Sequence, residues 1–284
     1  LAFGVAPGAG AGCGPSNAAS GTATPGSART PAEQQVDELV EALVPLPLDL
    51  TSDILDRHWH HGQELLANAK AGGREVGLAA LQRLRQGAPQ DEKGIPYQNV
   101  ELGLLATAAY AAPDDARPLL DALITQYGAG MHLRTEALIY LADTQPAHAL
   151  ELIEPWVTKT RPNQTMPPAE FIVASWAHAC DLTGRSPVPQ LADVATNLFY
   201  DQTGRVRAVK LLGKYKDPLG AQALQAILIE STGDGYLRRM AAQSLRDTLP
   251  REDACAILRV VSQREADLNM LKFLADLLEK HCGQ

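Results

Sequence analysis

The sequence predicts an all-α protein. Apolar residues recur at helical spacing from residue 31 to residue 281, Pro or Gly punctuates the segments, and no stretch alternates with a period of two between hairpin turns. Residues 1–30 form a separate leader, 31–96 are expected to be an N-terminal helical cap, and 97–284 a repeat array.

The first helix opens at Thr30-Pro31-Ala32-Glu33, where Thr30 caps, Pro31 suits the first helical position and Glu33 reaches back to complete a capping box. Val36, Leu39, Val40 and Leu43 then fall at i, i+3, i+4 and i+7, and Pro45 and Pro47 end the run. The same reading places helices over 52–70, 74–86, 97–111, 114–127, 131–143, 146–158, 169–181, 188–199, 204–214, 218–230, 235–247, 251–262 and 265–281. Breaks are expected at 86–96, which gathers Gly, Pro and charge, and at 159–168, where Arg161-Pro162 and Met166-Pro167-Pro168 cannot continue a helix.

The 284 residues are 45% hydrophobic and carry a net charge of −8, which argues against nucleic acid as the main partner because phosphate binding needs concentrated positive charge. The charge is uneven: residues 1–199 carry −10 and residues 200–284 carry +2. Residues 1–28 hold no charged side chain and are dominated by Gly, Ala, Ser, Thr and Pro, so they bury too little apolar surface to offset their ordering entropy and are expected to be a flexible tether. Within them, Gly10-Ala11-Gly12-Cys13 resembles the end of a bacterial lipoprotein signal. That resemblance implies a lipid on Cys13 and a location at the bacterial cell envelope; a cytoplasmic chain with a low-complexity leader is the alternative.

Internal similarity points to a repeat. A shift of 104 residues pairs Leu133-Arg134 with Leu237-Arg238, Ala137 with Ala241, Leu141 with Leu245, Asp143-Thr144 with Asp247-Thr248 and Pro146 with Pro250. A shift of 31 pairs Val206-Arg207 with Leu237-Arg238, and Ala106, Ala111, Ala116 and Leu119 with Ala137, Ala142, Ala147 and Leu150. Two-helix units are therefore expected to begin near 101, 132, 170, 205 and 236, with Gly103 and Ile172 at the Arg position of the first and third. A unit of this size cannot bury its apolar face alone and stacks on its neighbours. The segment Leu237-Arg238-Arg239-Met240-Ala241-Ala242-Gln243-Ser244-Leu245 resembles a HEAT-type repeat, including the short bacterial form. The resemblance implies a right-handed α-α superhelix whose second helices line a concave face that binds a protein or peptide. It also leaves open the minority of such arrays that act as bilin lyases or as nucleic-acid repair enzymes.

Candidate chemistry is sparse, and no motif for catalysis or for a bound cofactor is present. Asp56, His60 and Glu64 are four residues apart and form one polar stripe, an acid–His–acid column suited to a divalent metal or to acid–base work, weighed against a solvated helix face. Arg134, Arg207 and Arg238 recur at one repeat position, where a guanidinium fork suits an anionic ligand or an inter-repeat ladder. Arg207, Lys210 and Lys214 share a helix face and read as solvated surface rather than a nucleic-acid track. The four cysteines (13, 180, 255 and 282) lack metal-binding spacing. Cys255 and Cys282, about 15 Å apart in helical rise from their shared turn, are expected to stay unbridged. The expected function is a non-catalytic, envelope-tethered interaction scaffold.

Overall fold

The computed structural model describes residues 29–45, 52–125, 130–158, 166–230 and 234–283; the leader with Cys13 and most of the 159–168 break lie outside them. The described residues form fourteen helices: α1 (Pro31–Leu43), α2 (Ser52–Lys70), α3 (Arg74–Gln86), α4 (Gln98–Ala111), α5 (Pro113–Thr125), α6 (Met131–Thr144), α7 (Pro146–Thr158), α8 (Ala169–Thr183), α9 (Val188–Thr196), α10 (Gln202–Leu212), α11 (Pro218–Glu230), α12 (Gly235–Thr248), α13 (Arg251–Arg264) and α14 (Leu268–Cys282). The only extended pairing among them is one antiparallel bridge, Gln90 with Pro96, in the break between α3 and α4.

Local chemistry sets the helix ends. Glu33 N–H donates to Thr30 Oγ1 at 3.2 Å and Thr30 N–H to Glu33 Oε2 at 2.8 Å, completing the capping box. Asp201, Asp234 and Asp267 each accept a backbone N–H in the first turn of α10, α12 and α14. Helix α10 therefore starts two residues before its expected boundary and α14 three after it. Helix α9 stops at Thr196 rather than 199, because Asn197 Oδ1 takes the Phe199 N–H at 2.9 Å and turns the chain, leaving Leu198 and Phe199 exposed.

The helices pack as two layers that share one hydrophobic core running from Ala32 to Leu278. The even-numbered helices stack on one another in order from α2 to α14, and each odd helix packs along the even helix that follows it. Helix α4 touches α1, α2, α3, α5 and α6. Accordingly it is buried nearly all round, from Leu104 to Ala109 without interruption, where an outer helix such as α5 buries only Ala116, Leu120 and Ile124. Gly103 is the point where α4 meets α1: a Cβ there would stand 2.2 Å from Leu43 Cδ1.

The helix starts correct the repeat register. Helices α4, α6, α8, α10, α12 and α14 begin at 98, 131, 169, 202, 235 and 268, a step of 33 with five extra residues before α8. The 104-residue shift holds, since it carries α6 onto α12. The 31-residue shift does not: step 33 brings together the capping Asp201, Asp234 and Asp267, and the buried Ala116, Leu120 and Ile124 with Ala149, Ile153 and Val157. Alanine-rich helices offer chance identities at several offsets, and 31 is one of them.

The bridge judged out of reach is present: Cys255 and Cys282 form a disulfide with their Cα atoms 6.0 Å apart. The connector at 265–267 uses three residues without helical rise, so the arms from the turn differ by five residues, roughly 7.5 Å, instead of ten. The way α14 seats on α13 closes the remaining distance, and Arg251 Nε in the first turn of α13 donates to His281 O at 2.6 Å beside the bridge. Cys180 is free and buried, and burial pushes its thiol up to about 11. A bridge spanning 27 residues is worth about 3 kcal/mol through the unfolded chain. In a stacked array the loss should stay local. Cys255→Ser is expected to raise hydrogen exchange in α13 and α14 while leaving α4–α8 unchanged, read by exchange mass spectrometry.

Candidate binding face

Of the three arginines proposed as one ladder, two occupy it. Arg134 and Arg238 are each the fourth residue of their helix and are buried, and each donates to the carbonyl ten residues upstream at the end of the preceding outer helix: Arg134 Nη2 to Ile124 O at 3.1 Å and Arg238 Nε to Leu228 O at 3.0 Å. The third member is Arg205, which sequence reasoning missed; its Nε donates to Ala195 O at 3.2 Å. Each guanidinium thus donates to a carbonyl in the last turn of an outer helix, where intrahelical donors run out. Burial pushes Arg134 below the ordinary arginine range. Arg238 also pairs with Glu265, whose carboxyl it holds below the usual carboxylate range. The signal for Arg205 was the 33-residue step from Arg238, hidden by the near-coincidence of Arg207.

Arg207 lies one half-turn away, exposed on the outer side of the even layer. It lines two grooves. One, about 350 Å³, lies among α6, α8 and α10 and holds Ile139, Phe171, His178, Asp181, Lys214 and Tyr215. The other, about 360 Å³, lies among α8, α10 and α12 and holds Glu170, Thr203, Val206, Lys210 and Tyr236. The groove carboxylates are taken up by neutral donors: Tyr215 Oη donates to Asp181 Oδ2 at 2.7 Å, and Thr203 Oγ1 donates to Glu170. Arg207, Lys210 and Lys214 have no carboxylate within ion-pair distance among the described residues.

A second set of side chains ties the even helices together near their C-terminal ends. Lys70 Nζ sits 4.6 Å from the Tyr110 ring centroid, Tyr110 meets Tyr140 edge-on at 5.9 Å, Tyr110 Oη donates to Asp143, and Asp143 Oδ1 lies 3.1 Å from His178 Nε2. The chain of contacts crosses α2, α4, α6 and α8. The Tyr110 hydroxyl first, and then His178, hold the Asp143 carboxyl below its ordinary value. Desolvation, reinforced by that carboxylate, pushes Tyr110 upward. Asp143 and His178 form a partly exposed acid–histidine pair at the rim of the first groove, oriented by Tyr110. Neither residue stood out in the sequence, because they are 35 residues apart across the irregular 38-residue step from α6 to α8 and meet only in the packed structure.

His60 and Glu64 are exposed on α2, the Asp56 side chain is outside the described residues, and no group of three His, Cys, Asp or Glu side chains is arranged to hold a metal among those described. His58, half a turn from the column, is half-buried with Nε2 at 3.0 Å from Val44 O, at the end of α1. No described helix is long and apolar enough to cross a membrane.

Fold and face together define a two-layer α-helical repeat protein. No family model matches the chain, and neither the curated proteins nor the solved structures contain a significant match to it.

Arg205→Ala should cost about 2 kcal/mol in urea unfolding, by stranding a helix-end carbonyl, whereas Arg207→Ala should stay within about 0.5 kcal/mol of the parent. The Asp143 network gives a second expectation. A carboxyl held low in the folded state contributes stability above its unfolded value near pH 4, and that contribution is lost as the pH falls through the folded value. Tyr110→Phe should therefore raise the Asp143 midpoint in a carboxyl NMR titration, and by more than His178→Ala does.

Proposed function

We propose that the protein is a non-catalytic interaction scaffold of the HEAT type, with the outward side of its even-numbered helices, the first of each unit and not the second helices that the resemblance implies, as the binding face. The observation that carries this reading is the pair of grooves sharing Arg207, which expose Phe171 and Tyr236 beside cations without an ion-pair partner among the described residues, on a surface built from four even-numbered helices. Packing explains why α6, α8, α10 and α12 are buried on their remaining sides; it does not call for large aromatic side chains or unneutralised charge on the side facing out. The right-handed superhelical form and the HEAT name rest on the resemblance of residues 237–245 and the regular step.

Attachment to a bacterial envelope through a lipid on Cys13 is part of the same proposal. It draws on Gly10-Ala11-Gly12-Cys13 and on the Cys255–Cys282 disulfide, since bridges persist in oxidising compartments and are rare where thiols are kept reduced.

A photo-crosslinking residue placed at Tyr236 or Phe171 in native cells tests both parts. Discrete protein adducts are expected from these positions and none from Glu151, an exposed residue of α7 in the odd layer. Intact mass of the captured chain is expected to show an acylated N-terminal Cys13. Equal adducts from all three positions would remove the binding face, and an unmodified Cys13 would remove the envelope anchor.

A further inference from the structure

We propose that the grooves on either side of α10 receive an acidic peptide segment of a partner protein, with apolar side chains between its carboxylates. The inference deepens the scaffold reading and rests on it. Arg207 and Lys210 fall at i and i+3 on the exposed side of α10, and Lys214 follows, also exposed, in the turn after the helix ends at Leu212, so the three make one ridge along α10 and its C-terminal turn. The ridge divides the two grooves with a regular distribution: Lys214 faces the groove of Phe171, Lys210 faces that of Tyr236, and Arg207 lines both. A segment crossing α10 therefore meets an apolar surface and a cation, then the Arg207 fork, then a second cation and apolar surface.

Charge decides the chemistry of the occupant. The chain carries −8 overall, and several of its other cations are spent: Arg74 pairs with Asp115, Arg117 with Asp114, Arg185 with Glu154, Arg238 with Glu265 and Arg246 with Asp247. Among the described residues the three cations of the ridge have no ion-pair partner, and the nearby carboxylates Glu170 and Asp181 accept from Thr203 and Tyr215 instead. A carboxylate arriving over Arg207 gains a bidentate partner without displacing one. Nucleic acid fits less well. Its backbone carries a charge at every nucleotide and cannot avoid Glu170 and Asp181, whereas a peptide spaces its carboxylates and fills the interval with apolar side chains that Phe171 and Tyr236 accept.

The test selects peptides from a random display library on the full chain with its disulfide intact, and measures the winners by fluorescence anisotropy. Selected sequences are expected to be rich in Asp and Glu interspersed with aliphatic or aromatic residues. They should lose about tenfold or more in affinity for Arg207→Glu/Lys210→Glu, less for Arg207→Gln/Lys210→Gln, and weaken as salt rises. Circular dichroism and thermal midpoints of both variants should match the parent, since both side chains are exposed. Winners without acidic bias, undiminished binding to the charge-reversed chain, or displacement by a single-stranded oligonucleotide at lower concentration than by the peptide itself would overturn the proposal. Adducts at Tyr236 in cells that persist in Arg207→Glu/Lys210→Glu would leave the scaffold and remove the acidic occupant; absence of adducts in the parent would remove the scaffold itself.

Discussion

A helix buried on nearly every side needs partners before it, behind it and beneath it, and this requirement organises the whole molecule. Helix α4 meets five others, and its run from Leu104 to Ala109 has no water-facing stripe to spare. No single helix pair supplies that environment, so the pairs stack, each completing its neighbour's core. The small residues follow from the same demand: Gly103 admits Leu43 and Gly77 admits Ala112 at distances that a Cβ would forbid. The outer helices bury one face only and keep ordinary amphipathic patterns, such as Ala116, Leu120 and Ile124 in α5.

Stacking at a fixed step brings the same positions of successive units together. At the start of the even helices the step brings Asp201, Asp234 and Asp267 to the cap and Arg205 and Arg238 to the carbonyl end of the preceding outer helix. Near their ends it brings Tyr110 to Asp143, and the longer step from α6 to α8 still leaves Asp143 beside His178. The buried arginines are costly ions to hold in a core, and their worth depends on the carbonyls they satisfy. What packing and these ladders leave over is the outward strip of α6, α8, α10 and α12, where Arg207, Lys210, Lys214, Phe171 and Tyr236 face the grooves. Helix α14 is tied to α13 by Cys255–Cys282 and by Arg251 on the His281 carbonyl.

By itself, the sequence determined what depends on neighbours a few residues apart. The capping box at Thr30 and Glu33, the all-helical class, and most helix bounds follow from periodicity, Pro and capping residues, because these act within one or two turns. It also carried the repeat itself, through the 104-residue shift. Tertiary structure decided everything that turns on register between units. Arg205 rather than Arg207 lies in the ladder because a step of 33, and not 31, aligns helix starts, and in alanine-rich helices two residues of slip leave the composition almost unchanged. It decided that Cys255 meets Cys282, because how two helices seat on one another cannot be read from counting residues along two arms. It also decided which cations are spent on carbonyls and which remain for a partner: a residue's chemistry is written in the chain, but whether that chemistry is used up depends on what the stacking brings within three ångströms.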